Sequence, residues 1–174
     1  DEWQKFCEKI SELGKYLEDE GMPLAYHHHM GTVIETQKDT ERLIENTHES
    51  VKLTLDTGHM LFAKGDSKSI LQNYHERILH VHCKDIRKQV LEKSLKEDLS
   101  FRGAFLEGAF TVPGDGCIDY QPLFNVLKNN NYSGWLVVEA EQDPAKANPL
   151  EYAKIGYNYL TDTLKKSEIE IYKN

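Results

Sequence analysis

Apolar residues along the chain follow two alternating patterns. Short, nearly continuous apolar runs occur four times, and stripes with an apolar residue every three or four positions lie before and between them. Continuous runs are typical of strands buried in a parallel sheet, and the stripes are typical of amphipathic helices. The predicted strands cover residues 24–29, 51–56, 78–84 and 135–140.

Predicted helices precede and separate these strands. The first stripe predicts a helix that ends at Gly21, because glycine readily adopts the left-handed conformation that follows many helices. Leu13 in this helix and Ile155 in the last one are expected to face the core. A charged helix is predicted over residues 88–99. The starting signals of the other helices are Thr36 with Asp39, Gly65 with Asp66, Asp119, and Asn148 with Pro149.

Four strands that alternate with helices predict an α/β fold with a parallel sheet. Four such units are half of a (β/α)8 TIM barrel, and we expect the C-terminal half, strands 5–8 with their helices, with residues 1–174 as a single domain. The chain begins within a helix and without an initiator Met, so we expect the other half to precede Asp1. Unpaired edge strands and an apolar face toward the barrel centre would drive association, which makes a homo-oligomer a candidate assembly.

Residues 85–118 separate the third strand from the next helix without a strand signal. A connection of this length far exceeds the usual ~4–6 residues, which indicates a lid or a functional insertion. Phe101, Phe105 and Phe110 give the segment apolar side chains to bury, and Pro-Gly-Asp-Gly at 113–116 predicts a turn.

Charge and composition disfavour several classes of function. The chain of 174 residues has a net charge of −8, which argues against a nucleic-acid surface and against a phosphodiester-cleaving barrel. No apolar run approaches the ~18 residues of a membrane span, and no signal peptide opens the sequence. Cys7, Cys83 and Cys117 are widely spaced, so we expect reduced thiols in a cytoplasmic protein.

Candidate metal ligands lie at the carboxyl ends of all four predicted strands. Side chains two positions apart on a strand share a face, so the candidates within each strand point together. A mixed set of imidazoles and carboxylates suits manganese, cobalt, zinc or iron(II) better than calcium. The candidates are His27, His29, Asp56, His59, His80, His82, Glu139 and Glu141, and Lys84 shares the face of His80 and His82.

Each candidate taken alone has an ordinary structural explanation. Asp-x-x-His after a strand more often caps a helix than binds a metal, and a buried histidine is more often a hydrogen-bonded core residue. Lys84 with Asp85 is as readily a salt bridge as a catalytic pair. The conjunction favours a metal site, because four successive strands end in ligand types at the edge where barrels have their active sites.

Five stretches carry a resemblance to a known family. They are LAYHHHMGT (24–32), LDTGH (55–59), HVHCKD (80–85), FTVPGDGCIDY (110–120) and GWLVVEAEQDPAKANPLEYA (134–153). With these stretches the chain resembles the sugar isomerase/epimerase barrels of the xylose-isomerase-like superfamily, and within it the inosose dehydratases. The last two stretches are long and specific, and the similarity extends over nearly the whole chain.

The resemblance implies which residues hold the metal. The superfamily binds one divalent metal through a Glu, an Asp, a His and a Glu, and these positions fall on His27, Asp56, His82 and Glu139. His27 departs from the first Glu of the superfamily. Because the epimerases use two metal-bound glutamates as a facing acid–base pair, this departure favours proton abstraction on one side followed by loss of water.

The activity implied by the resemblance is a metal-dependent lyase that dehydrates 2-keto-myo-inositol (scyllo-inosose) to a trihydroxycyclohexane-dione in myo-inositol catabolism. Glu139 or Glu141 would take the α-proton, and His59 or Lys84 would protonate the leaving hydroxyl. Manganese or cobalt is the expected metal, and glutathione is a candidate cosubstrate. An isomerase or epimerase of the same superfamily and a non-catalytic metal- or sugar-binding fragment stay open as alternatives. The residues expected to bind the polyol ketone are His29, His59, Lys84 and Arg87.

Overall fold

A computed structural model describes residues 1–172 of the protein. Its centre is a four-stranded sheet with the strand order β1-β2-β3-β6. All three strand pairings are parallel, so the prediction of four parallel strands adjacent in chain order is confirmed. The strands are β1 (Leu24–His27), β2 (Val51–Asp56), β3 (Ile78–Cys83) and β6 (Trp135–Val138).

Three of these strands end earlier than predicted. β1 stops at His27 rather than at residue 29, because β2 turns into a helix after Asp56 and the Asp56 N–H donates to the imidazole of His28. β3 ends one residue early, and β6 stops at Val138 rather than at residue 140. The ligand candidates beyond these ends therefore lie on short irregular segments.

Helices cover one side of the sheet. Their predicted caps are present, since Thr36, Asp66, Asp119 and Asn148 each accept a backbone N–H at a helix start. Gly21, which follows the first helix, has the expected positive φ of 75°. A short 3₁₀ helix, His75–Arg77, precedes β3. The α-helices outside residues 85–118 are α1 (Glu2–Asp19), α2 (Gln37–Asn46), α3 (Thr57–Phe62), α4 (Ser67–Tyr74), α7 (Tyr120–Asn129) and α8 (Pro149–Lys166).

One helix is missing from the sequence prediction, and two expectations about buried residues are wrong. Helix α3 was not predicted, because it begins immediately after β2 with Asp56 as its cap and has no loop to announce it. Leu13 and Ile155 are 48% and 41% exposed, so both face away from the core.

The two faces of the sheet differ in chemistry. The outer face packs against α2, α4, α7 and α8 to form the main core, and its strand residues are Leu53, Leu55, Ile78, Val81, Cys83, Leu136 and Val138. The opposite, inner face carries Ala25, Lys52, Thr54, His80, Trp135 and Val137. The expected inner face of Leu, Val and Ile side chains is therefore largely wrong, because most of the aliphatic positions of the strands are used by the helix-covered core. Val137 and Ala25 are apolar residues on this face, and so is Trp135, with 64% of its surface exposed.

Residues 85–118 form a small layer of their own. β4 (Asp85–Ile86) and β5 (Phe110–Thr111) pair antiparallel, so the expectation that the segment lacks strands is wrong. Two helices lie between them, α5 (Lys88–Lys96) and α6 (Phe101–Leu106), where one helix over 88–99 was predicted. Asp98, with φ of 50°, turns the chain between them. The core of the layer consists of Phe62, Ile86, Leu91, Ala104, Ala109 and Phe110.

Within residues 1–172, no helix combines the length and the apolar character needed to cross a membrane. All three cysteines are free. Cys7 and Cys83 are buried, whereas Cys117 is exposed.

Candidate metal centre

The two carboxylate oxygens of Asp56, a fully buried residue at the end of β2, have different roles. Oδ1 accepts a hydrogen bond from the His59 N–H over 2.8 Å and caps α3. Oδ2 has no hydrogen-bond partner and lies 3.5 Å from His27 Nε2 and 3.6 Å from His82 Nδ1. The cap and the ligand interpretations of Asp-x-x-His are therefore compatible, because each uses a different oxygen.

The four residues proposed as ligands from the sequence come together at this edge of the sheet. Donor atoms of Asp56, His82 and Glu139 lie within 4.8 Å of one another, and so do those of Asp56, His27 and His59. His82 Nδ1 and Glu139 Oε2 are 3.1 Å apart. Donor atoms about 2.1 Å from one ion stand roughly 3–3.5 Å from each other, so these separations suit a shared cation.

One donor atom on each of these four residues is buried without a hydrogen-bond partner. The atoms are His27 Nε2, Asp56 Oδ2, His82 Nδ1 and Glu139 Oε2. Buried polar atoms nearly always have partners, and leaving one unpaired costs about 1–3 kcal/mol. Four unpaired donors from four strand ends, two imidazoles and two carboxylates, fit a divalent transition metal.

The protonation of this set reflects its mixed charges. Burial alone would raise the pKa of Asp56, but the His27 and His82 imidazoles and the Lys84 ammonium hold that pKa well below its usual range. Asp56 and then Glu139 raise the pKa of His82 to about 9. Since a metal-bound histidine is neutral, metal binding would release a proton from His82.

Lys84 is the centre of a second group, which consists of His29, His59, Lys84 and Glu141. The Lys84 side chain is fully buried, and its Nζ donates to Glu141 Oε2 over 2.8 Å and to His59 Nε2 over 2.9 Å. His29 Nε2 lies 3.6 Å from Glu141 Oε1, and the rings of His29 and His59 are 3.7 Å apart between centroids. The residues predicted to be catalytic therefore adjoin the proposed metal ligands.

The surroundings of this group determine which residue carries a proton. Burial lowers the pKa of His59 to about 2, with Lys84 contributing, so the imidazole is neutral and accepts a hydrogen bond. Burial would also lower the pKa of Lys84, but Asp56, Glu141 and Glu139 outweigh it and raise the pKa above its ordinary value. Lys84 is therefore the proton-bearing member of the pair.

Two candidates have their contacts elsewhere. The Arg87 guanidinium donates to the Gly108 carbonyl over 2.8 Å and pairs with Asp115 over 2.7 Å, contacts that lie within residues 85–118. His80 shares the inner face with His82, with 6.5 Å between ring centroids, but belongs to none of the compact donor sets among the described residues.

Three buried residues that support the site were not identified from the sequence. His28 Nε2 accepts the Asp56 N–H over 3.1 Å, on the opposite face from His27. Thr57 Oγ1 and Tyr120 OH both donate to the Lys84 carbonyl, over 2.7 and 3.0 Å. His28, Thr57 and Tyr120 all lie in stretches that carry the family resemblance, and that location is the sequence signal that points to them.

Known proteins share much of this sequence. The chain is 50% identical over 163 residues to an inosose dehydratase from Clostridium beijerinckii, which covers 93% of this chain and 55% of that protein. It is 47% identical over 160 residues to the rhizopine catabolism protein MocC of Rhizobium meliloti, covering 92% of this chain and 49% of that protein. The chain thus spans about half the length of the curated relatives it matches.

Solved structures and a family model agree on the fold. The crystal structure of the IolI protein with a bound zinc atom matches with a TM-score of 0.66 at 21% identity, over 91% of this chain and 54% of that chain. A likeness at this identity establishes the fold alone. The family model for xylose isomerase-like TIM barrels matches residues 1–163. The chain therefore belongs to the xylose isomerase-like TIM barrel family.

Proposed function

We propose that this chain supplies the metal centre and the proton-transfer residues of a metal-dependent hydro-lyase that dehydrates inosose (2-keto-myo-inositol). The observation that carries the proposal is the convergence of buried, unpartnered donor atoms on His27, Asp56, His82 and Glu139. Relatives named inosose dehydratase, such as the Clostridium beijerinckii protein at 50% identity, support the substrate class.

We further propose that residues 1–174 are one domain that corresponds to the C-terminal half of an eight-stranded barrel. The four parallel strands and the match to about half of each relative support this proposal. A cytoplasmic location is supported by the three free cysteines. A homo-oligomer is part of the proposal, with the unpaired edges of β1 and β6 as its basis.

Manganese or cobalt is the metal we propose. Two imidazoles and two carboxylates suit either ion, and the zinc of the IolI structure supports a divalent metal on this fold. A metal held by these residues would supply Lewis acidity at the substrate ketone, which makes the hydrogen on the neighbouring carbon more acidic.

Glu141 is the proposed base and Lys84 the proposed acid. Glu141 would take the proton from the carbon beside the ketone, and Lys84 would protonate the hydroxyl that leaves the next carbon, so that a double bond forms and one water departs. Lys84 Nζ and Glu141 Oε2 are 2.8 Å apart, so the proton taken by Glu141 can return to Lys84 between turnovers. Glu139 is assigned to the metal, because its Oε2 lies 3.1 Å from His82 Nδ1.

His29 and His59 are the residues we propose for contacting the hydroxyls of the polyol ketone. Both rings lie beside Glu141, and Phe101 of α6 packs 5.3 Å from the His29 ring and 5.7 Å from the His59 ring. Residues 85–118 thus border the same place, which supports their role as a lid that excludes water.

A product assay tests the reaction. The purified protein, loaded with manganese or cobalt, is incubated with 2-keto-myo-inositol and the mass of the product is measured. A dehydratase releases a product lighter by one water, whereas an isomerase or epimerase gives a product of unchanged mass. Glu141→Gln is the matched control: at a metal concentration that saturates its weakened site it should be loaded with metal and still lose turnover.

Metal analysis separates the site from the reaction. Manganese binding that Asp56→Asn abolishes would support the ligand assignment. Binding without turnover, including when the unmatched part of the Clostridium beijerinckii protein is supplied as a second chain, would favour a non-catalytic binding module. Equal manganese content in the unaltered protein and Asp56→Asn would refute the site.

A further inference from the structure

Lys84 contacts the same carboxylate oxygens that the proposed metal site uses. Its Nζ lies 3.3 Å from Asp56 Oδ2 and 3.2 Å from Glu139 Oε2, and neither oxygen has a hydrogen-bond partner. A cation bound to these oxygens would lie within a few ångströms of the ammonium. Two positive groups would then share one pair of anions, and like charges at such a distance repel strongly in a buried site.

The ammonium has a second set of partners on its other side. Nζ donates to Glu141 Oε2 and to His59 Nε2, over 2.8 and 2.9 Å, and both contacts are hydrogen bonds. Glu141 shares no compact donor set with the proposed ligands Asp56 and Glu139. Lys84 therefore stands between two groups of acids: Asp56 and Glu139, which are the proposed ligands of the metal, and Glu141, which belongs to a separate compact donor set with His29 and His59.

The stem of Lys84 has little freedom to leave this position. It passes directly over Gly58, where an added Cβ would lie 2.7 Å from Lys84 Cγ. The Lys84 carbonyl is held by the hydroxyls of Thr57 and Tyr120. The ammonium is therefore confined to the space between the two groups of acids.

We propose that Lys84 sets the metal affinity of this site, because its ammonium competes with the metal for Asp56 and Glu139 while Glu141 draws it away from them. The inference rests on the proposed metal site. It gives two substitutions effects of opposite sign. Removal of the Lys84 charge should tighten metal binding, and removal of the Glu141 charge should weaken it, although Glu141 is not a proposed ligand.

A purely structural role for Lys84 gives a different pattern. If Lys84 only held the carboxylates in place, both substitutions would disorder the ligands, and both would weaken metal binding. The sign of the Lys84 effect therefore distinguishes competition from support.

Calorimetric titration with manganese chloride of the chelator-treated chain tests the inference. Lys84→Met should bind Mn²⁺ on the order of 10- to 100-fold more tightly than the unaltered chain, and Glu141→Gln about 3- to 10-fold more weakly. Lys52→Met is the matched control. Lys52 lies on the same inner face and its Nζ contacts the Glu76 carbonyl over 3.3 Å, so its removal should leave Mn²⁺ affinity unchanged.

Thermal unfolding with and without Mn²⁺ gives a second readout. Lys84→Met should show a larger Mn²⁺-dependent rise in Tm than the unaltered chain. In this variant Asp56 and Glu139 no longer have the Lys84 ammonium beside them, so Mn²⁺ binding stabilises the folded state more. A variant that folds only with Mn²⁺ present is the extreme form of the same result. If Lys84→Met folds under neither condition, Lys84→Gln takes its place, because it removes the charge but keeps a polar group in the buried position, and unchanged or weaker Mn²⁺ binding by it overturns the inference.

Two further outcomes have distinct meanings. Weaker or unchanged Mn²⁺ binding by a folded Lys84→Met would overturn the competition while leaving the metal site in place. No Mn²⁺ binding by the unaltered chain would overturn the proposed site and this inference together.

Discussion

The two faces of the central sheet use neighbouring residues for opposite purposes. Leu55 and Asp56 are adjacent at the end of β2 and both are fully buried, yet Leu55 packs in the main core while Asp56 Oδ2 has no partner. His27 and His28 differ in a related way at the end of β1, since His28 Nε2 accepts the Asp56 N–H on the core side, whereas His27 Nε2 is unpaired and faces Asp56 Oδ2 at 3.5 Å. Burial alone thus does not separate core from site, whereas the convergence of several unpaired donor atoms from different strand ends does.

The largest effects are expected from the pair Leu55→Ala and Asp56→Asn. Leu55→Ala should lower the free energy of unfolding by about 3–5 kcal/mol, because it leaves a cavity in the core, and the folded fraction should bind Mn²⁺ normally. Asp56→Asn keeps an oxygen to cap α3 but removes the charge. It should weaken Mn²⁺ binding by more than the ~10–100-fold that changes to residues supporting a metal site typically cost.

Denaturant unfolding and calorimetric titration measure these two quantities on the same samples. The comparison of the two faces breaks down if Leu55→Ala, once folded, loses Mn²⁺ affinity as severely as Asp56→Asn does. It also breaks down if Asp56→Asn destabilises the fold as much as Leu55→Ala.

The alternation of strands and helices depends on local patterns of apolar residues, and so the sequence predicts it. The caps at Thr36, Asp66, Asp119 and Asn148 depend on one side chain and the next few amides, which explains why they were identified correctly. The β4–β5 pair was missed because each strand has two residues and the pairing joins positions 24 or more residues apart, as Ile86 with Phe110.

The sequence likewise predicts part of the candidate site and misses the part that depends on contacts between distant segments. Strand ends and the family resemblance predict His27, Asp56, His82 and Glu139 as ligands. The structure connects the four through contacts of 3.5, 3.6 and 3.1 Å, and their role as ligands stays a prediction. The separate positions of Glu139 and Glu141 could not be predicted, because residues two apart share a face and only distances to other strands distinguish them. His28, Thr57 and Tyr120 were missed for a related reason, since their hydrogen bonds join segments distant in sequence.

Substitution of Asp85 should cause the next largest loss of stability. Lys84 and Asp85, at the junction of β3 and β4, are again adjacent residues of which one belongs to the site and the other supports the fold. Asp85 follows Lys84 but points away from the site, and its Oδ1 accepts the N–H groups of Ile86, Cys117 and Ile118 over 2.7–2.9 Å. The described residues show no Lys84–Asp85 ion pair, so neither the salt bridge nor the catalytic pair considered from the sequence applies. Asp85→Ala should cost about 3 kcal/mol of unfolding free energy, because three backbone donors lose their acceptor.

Asp85→Asn is the control, since its amide oxygen can still accept those bonds and the loss should be smaller. Burial raises the pKa of Asp85 above 3.8, so the folded state holds the proton more tightly than the unfolded state. Stability from this group is present at low pH and declines as the pH rises from about 4 through the folded pKa. Asp85→Asn should remove that decline in a series of unfolding curves, and an unchanged pH profile would contradict the assignment.

The pair His27→Ala and His28→Ala should separate binding from stability. His27→Ala removes an unpaired donor from a partly exposed ring, so Mn²⁺ affinity should fall about 10–100-fold with little change in stability. His28→Ala empties a fully buried position and removes the acceptor of the Asp56 N–H, so it should cost about 2 kcal/mol and affect Mn²⁺ less. Equal losses of Mn²⁺ affinity in the two variants would show that the faces are not distinct at β1.

The smallest effect is expected at Arg87. The sequence predicts that this residue binds substrate, whereas its contacts in the structure are structural ones within residues 85–118. Its guanidinium joins β4 to the Gly108 carbonyl and to Asp115, so it holds the 85–118 segment together. Arg87→Met keeps the apolar stem and should speed hydrogen exchange in residues 100–111 by an amount equivalent to about 1–2 kcal/mol, with Mn²⁺ affinity unchanged. Arg102→Met, on the exposed side of α6, is the control and should leave exchange as it is. Normal exchange in Arg87→Met combined with weaker binding of 2-keto-myo-inositol would instead support the sequence-based prediction that Arg87 binds the substrate.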